Sequence, residues 1–224
     1  MTCKPRNKTT AEEVQAAVGL WRSLVSDRNL AADACTLAKF TTARKWDDRK
    51  IKDFASPVQA YAENLHHKVL QRHGTLAPHK LASILGVQMA PQPDSEALRQ
   101  CLNFAEYDSE LKTIFVNEDS IQRVTRFIAE NGLETQMPTS FKEVVIAHEL
   151  FHFLEQGNRE WHGLCLPAQF LRRYPTRHVD SVMRAMASEV AAVHFSKLLT
   201  GITFSPCVFE QLLVKLTRNE VYAK

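Results

Sequence analysis

His148 and His152 stand four residues apart in the stretch FKEVVIAHELFHFLEQ, residues 141–156, with Glu149 directly after the first of them. On a helix that spacing puts two imidazoles on one face, with Cβ atoms about 5–6 Å apart, close enough to meet one metal ion. Glu149 completes an HExxH pattern. A carboxylate in that place takes the proton of a water that the metal acidifies.

The helix that must carry these residues is well marked. Ser140 and Glu143 have the spacing of a capping box, Pro138 lies just outside, and Gly157 is placed to stop the helix in the left-handed conformation. Val144, Val145, Ile146, Ala147, Leu150, Phe151, Phe153 and Leu154 leave almost no polar face, so the helix is expected to be buried. A buried helix with two histidines and a glutamate needs partners for them, since an unpaired buried charge costs on the order of several kcal/mol. A metal supplies such a partner.

A catalytic zinc takes three protein ligands and leaves one position open. His162 lies too far beyond His152 to be the third, and Asn158 stands where the metzincin spacing requires histidine. Glu189 is the better candidate. Ala185, Met186, Ala192 and Val193 flank it at three and four residues, so its carboxylate leaves an apolar helix face, where it must be paired or metal-bound. Arg184 is the competing partner. The alanines at 185, 187, 191 and 192 would let this helix approach another closely, and His194 faces elsewhere. Glu155, on the same face as His148, is placed to orient a ligand. Tyr174, His178 and His162 are candidate oxyanion donors.

The remaining chain sets the frame. Its 224 residues, 45% hydrophobic and 24% charged, suit one sizeable domain with an appendage. The net charge of +3 is dispersed, so no nucleic-acid or anionic-membrane surface is expected. Five widely spaced cysteines, an odd number without a CxxC pair, suggest neither a disulfide framework nor a cysteine zinc site. No secretory h-region and no apolar run of about 18 residues is present, and a cytoplasmic location is expected.

Periodicity places helices from Thr10 through Val25 and across Leu30–Phe40, then from about Pro57 to His73 and from Pro78 to Leu85. Short strands follow at Val87–Ala90, around Leu102–Phe104 and over Leu111–Val116, then a helix near Ile121–Ile128. Beyond the HExxH helix, Asp180 or Ser181 caps the Glu189 helix, and Ser205-Pro206 opens a last one. His66, His67, His73 and His79 read as surface or capping histidines. The expected fold class is α+β, a small antiparallel or mixed sheet of about three strands packed on the HExxH helix and the glutamate-bearing helix. Residues 1–55 are expected to be an N-terminal tail and helical appendage, and 56–224 the main domain.

HELFH followed on a later helix by Ala187-Ser188-Glu189-Val190-Ala191-Ala192 resembles the gluzincins, thermolysin-type zinc metallopeptidases with a glutamate third ligand. Tyr61…Gly74-Thr75-Leu76, Leu85-Gly86-Val87 and Ile114-Phe115-Val116-Asn117 ahead of that helix make residues 56–200 similar to the ImmA/IrrE-like small zincins. The resemblance implies a zincin-like fold, zinc on His148, His152 and Glu189, Glu149 as general base, and a peptide or protein substrate. It leaves an alternative of another class, a metal-binding regulatory module with little turnover. Phe151 departs from the family, where glycine is common, and bears on what enters the cleft. Leu111–Val116, taken as the sheet edge beside the metal helix, would pair with an extended peptide.

Overall fold

Apolar residues at helical spacing dominate the chain, and the computed structural model describes residues 11–26, 34, 36–93, 103–156 and 177–222. Seven helices are described: α1 (Ala11–Ser26), α2 (Asp48–His73), α3 (Pro78–Ile84), α4 (Glu118–Glu130), α5 (Phe141–Gln156), α6 (Arg177–Thr200) and α7 (Cys207–Tyr222). Between α3 and α4 lie β1 (Gln88–Pro91), β2 (Ala105–Asp108) and β3 (Thr113–Val116). The class is α+β, with one small mixed sheet among the helices.

The sheet order is β1-β3-β2, with β1 parallel and β2 antiparallel to β3. The β2–β3 hairpin is made locally. Asp108 Oδ1 accepts the Glu110 and Leu111 N–H groups at 2.8 and 2.9 Å, and Lys112 completes the turn at φ 48°. The strand expected at the edge is therefore the centre of the sheet. A parallel partner more than twenty residues upstream takes β3's other side, and hairpin signals say nothing about such a pairing. The strand facing the HExxH helix α5 is β2.

Helix α2 starts well before the expected Pro57. Asp47 caps it by accepting Lys50 N–H at 2.8 Å, and Pro57 sits inside, on the exposed face. There the carbonyl that the missing N–H leaves free can turn to water. Residue 55, where the appendage was expected to end, thus lies within a continuous helix. Of the second N-terminal helix, residues 34, 36 and 37 are helical, and 38–45 form turns and a bend. Asp180 and Ser181, expected as caps, lie inside α6, which begins at Arg177.

One apolar core runs from Ala17 to Leu213. Trp21 of α1 is fully buried in it, with ring centroids 5.4 Å from Phe204 and 5.5 Å from Phe209. Its Nε1–H donates to Gln136 Oε1 at 2.7 Å, which satisfies the indole's one polar atom. Near these rings Cys207 is disulfide-bonded. Cysteine spacing carries no signal for such a bond, because proximity in space, not in sequence, decides pairing. No described helix is long and apolar enough to cross a membrane.

Because Trp21 is shared between α1 and the core below the metal helix, Trp21→Ala is expected to cost about 3–5 kcal/mol. Urea unfolding measures this. A loss under about 1 kcal/mol would mean that α1 is dispensable to the domain.

Candidate metal centre

Helices α5 and α6 pack along each other, and that contact assembles the site. His148 and His152 point their Nε2 atoms at one place, 3.3 Å apart. Glu189 enters from α6, with Oε2 3.7 Å from His148 Nε2 and Oε1 3.6 Å from His152 Nε2. Among the described residues these three form the group able to hold a metal ion, with ligand atoms all within 4.8 Å of one another. The expected ligand set is thus brought together, from two elements distant in sequence.

The donors suit a metal. Burial above all pushes His148 down to about 3, so its ring is neutral at physiological pH and offers a lone pair. Burial would raise the Glu189 carboxyl, but His148 and His152, then Lys39, outweigh it and hold it below its usual value. Two imidazoles and one carboxylate, partly exposed to a cleft on their open side, are donors that could hold a metal ion. A fourth protein ligand, which a structural site needs, is not among the described residues.

His152 is fixed from behind. Its Nδ1 lies 3.1 Å from Ser188 Oγ, which donates its own proton to Glu155 Oε2 at 2.5 Å. Since the Ser188 proton is committed to Glu155, Nδ1 must be the donor to Ser188, which leaves Nε2 bare for the metal. Burial opposes a charge on His152, yet the Glu155 hydrogen bond and the carboxylates of Glu149, Glu189 and Glu155 raise its pKa. Glu155 thus sits behind the His152 ring, its Oε2 3.6 Å from Nδ1. Ser188 was not foreseen, although its place beside Glu189 was a signal for it.

Glu149 is buried and accepts the Tyr107 backbone N–H at 3.0 Å. Burial is the main cause that pushes its carboxyl up to about 7; His152 and the Tyr107 N–H pull it down, while Glu189 and Glu106 push it further up. The Tyr107 contact also orients β2. Its N–H turns from β3 to Glu149, whereas Phe104 C=O accepts Asn117 N–H at 2.8 Å, so residues 105 and 107 direct their backbone groups to the free edge.

That edge borders a cavity of about 700 Å³ lined by Ala105, Glu106, Tyr107, the three ligands, Glu149 and an apolar wall that includes Phe104, Phe141, Val145 and Phe209. Phe151 does not obstruct it. The ring is fully buried on another face of α5, 5.7 Å from Phe195 and 6.4 Å from Tyr61. An unforeseen cation also enters the cavity. Lys39 sets its Nζ 2.6 Å from Glu210 Oε1 and 3.9 Å from Glu189 Oε2.

Other expectations resolve differently. The cation beside Glu189 is Lys39, while Arg184 is exposed. The Ser140 Oγ accepts Glu143 N–H at 3.4 Å, but the Glu143 carboxylate turns to His79, taking its backbone N–H at 3.0 Å and its Nδ1 at 2.5 Å. The capping box is therefore half formed, and His79 pins α3 to α5. His194 pairs with Glu63 at 3.2 Å, away from the metal ligands. Tyr174 and His162 lie outside the described residues, as does the side chain of His178. Searches for matching protein families, curated proteins and solved structures return no match.

Two outcomes follow from these contacts. The pKa of Glu149 rises on folding from 4.5 to about 7, so folding favours its protonated form, and stability falls as pH climbs through that window. In chelator-treated protein, Glu149→Gln is expected to match the wild type near pH 4.5 and exceed it by roughly 2–3 kcal/mol at pH 8. Denaturant melts at both values check the sign. Ser188→Ala, which unseats the His152 tautomer, is expected to weaken zinc about 10- to 100-fold in a competition titration.

Proposed function

We propose that the protein is a zinc-dependent peptidase of the gluzincin type, most similar to the ImmA/IrrE-like zincins. The observation that carries this reading is the convergence of His148, His152 and Glu189 on one point beside a buried glutamate, at the floor of an open cleft. A divalent ion held there, zinc in this reading, would supply Lewis acidity, lowering the pKa of a water and polarising a carbonyl.

The chain's own groups do the rest. Ala105, with the Tyr107 C=O, offers the outer edge of β2 to an extended peptide, while the Tyr107 N–H stays on Glu149, and the apolar wall of Phe104, Phe141, Val145 and Phe209 receives one of the peptide's side chains. Glu149, with its carboxyl pushed up to about 7, is balanced between taking and giving a proton. It accepts a proton from the attacking water and returns it to the amide nitrogen as the C–N bond breaks, leaving a carboxylate and an amine. Ser188 and Glu155 hold His152 in place throughout. The alternative, a metal-binding module without turnover, has less support, because Phe151 leaves the cleft open and a structural site has no use for Glu149.

The test pairs metal content with cleavage of a peptide library. Glu149→Gln is expected to retain zinc and lose about 10²–10⁴-fold in cleavage, whereas Glu189→Ala is expected to lose zinc affinity. Full cleavage by Glu149→Gln would sink the mechanism. Protein that takes up no zinc on titration would sink the site.

A further inference from the structure

We infer that Lys39, from the N-terminal part of the chain, is the electrophile that binds the oxyanion formed at the metal centre. This rests on the peptidase reading and supplies what that reading lacks, a donor for the negative charge that develops on the scissile carbonyl oxygen. Hydrolysis of an amide gathers that charge on one oxygen, and a donor preorganised for it is the largest single contributor in many such sites.

Three observations carry the assignment. Lys39 lines the same cavity as Glu149 and the three ligands, so its ammonium faces the space in which a substrate carbonyl would sit. Its Nζ is 3.9 Å from Glu189 Oε2, too long for a good hydrogen bond, but near enough that an oxygen held beside Glu189 at the same centre falls within its reach. The closer partner is Glu210, at 2.6 Å. Glu210 comes from α7, lines the same cavity, and accepts from one of the three ammonium donors.

This arrangement differs from a plain surface ion pair. Lys39 is exposed and Glu210 half-buried, yet both line the cavity, and a tether between the segment 36–45 and α7 has no need to bring the cation within 3.9 Å of Glu189. A cation 3.9 Å from Glu189 works against metal binding, and Glu210 holds it there with ammonium donors left over for a negative charge that develops on a substrate. Glu210 anchors the ammonium and keeps it from collapsing onto Glu189, so the carboxylate stays turned to the histidines.

The assignment predicts a separation between binding the metal and binding the oxyanion. Wild type, Lys39→Met, Lys39→Arg and Glu210→Gln would be compared for zinc affinity by chelator competition and for calorimetric binding of a phosphinic dipeptide with apolar side chains, a tetrahedral anion. Cleavage of a peptide found with the wild type would be split into kcat and KM. Lys39→Met is expected to bind zinc as tightly as wild type or several-fold tighter. It should lose about 10- to 100-fold in phosphinic dipeptide affinity and about 10²–10³-fold in kcat, with KM within a few-fold. Lys39→Arg should recover part of both losses. Glu210→Gln, which keeps the charge but frees it, should fall between.

Equal phosphinic dipeptide affinity in wild type and Lys39→Met, with wild-type cleavage intact, overturns the role of Lys39 alone. Zinc uptake by wild type with neither cleavage nor binding of the phosphinic dipeptide overturns the peptidase reading, and the Lys39 assignment with it. Should Lys39→Met melt markedly lower than wild type, Glu210→Gln and Lys39→Arg carry the comparison; both behaving as wild type in dipeptide binding and in kcat overturns the assignment.

Discussion

The close packing of α5 on α6 is the constraint on which the rest depends. A metal site shared between two helices exists only if their axes come near enough for a glutamate on one to meet two imidazoles on the other. Ala187, Ala191 and Ala192, all essentially unexposed, put small side chains on the packed faces of α6. Larger residues there would push the helices apart and leave three polar side chains stranded in an apolar setting. Phe151 and Phe195 brace the same region from the core side, which is why a bulky residue inside the HExxH motif fills the interior instead of the cleft.

Electrostatics around that contact are set by burial acting against a few well-placed charges. Burial alone would neutralise Glu149 and Glu189 alike. Glu189 escapes because two histidines and Lys39 surround it, whereas Glu149 is left with its carboxyl near 7. Two carboxylates in one cavity are thereby pushed in opposite directions by their neighbours. Ser188 extends the logic by one bond, since the backbone turn that presents Glu189 also presents the hydroxyl that holds His152.

The N-terminal part of the chain is integral to this arrangement. Trp21 is packed among Phe204 and Phe209, and Phe209 in turn lies 4.3 Å from Phe141, the first residue of the metal helix. Through these rings α1 supports the base of α5, and Lys39 reaches the cleft from the turns that follow. Sequence periodicity alone marks α1 as an amphipathic helix packed on the main domain. Amphipathicity reports that a face is buried, not what buries it.

The sequence by itself determined what is local. The HExxH spacing, the apolar character of residues 141–156, the hairpin turn at Asp108 and the isolation of Glu189 on an apolar stripe follow from periods and propensities within about twenty residues. The candidate ligands and base could therefore be named by number. Only the tertiary structure decided what depends on contacts between distant segments. It put β3 in the middle of the sheet and β2 at the edge, turned Glu143 toward His79, paired Cys207, and brought Lys39 into a cleft formed some hundred and more residues later in the chain. Side-chain period reveals which face of an element is apolar, but the identity of the partner is settled by loop closure and packing of the whole core, and no local pattern records that.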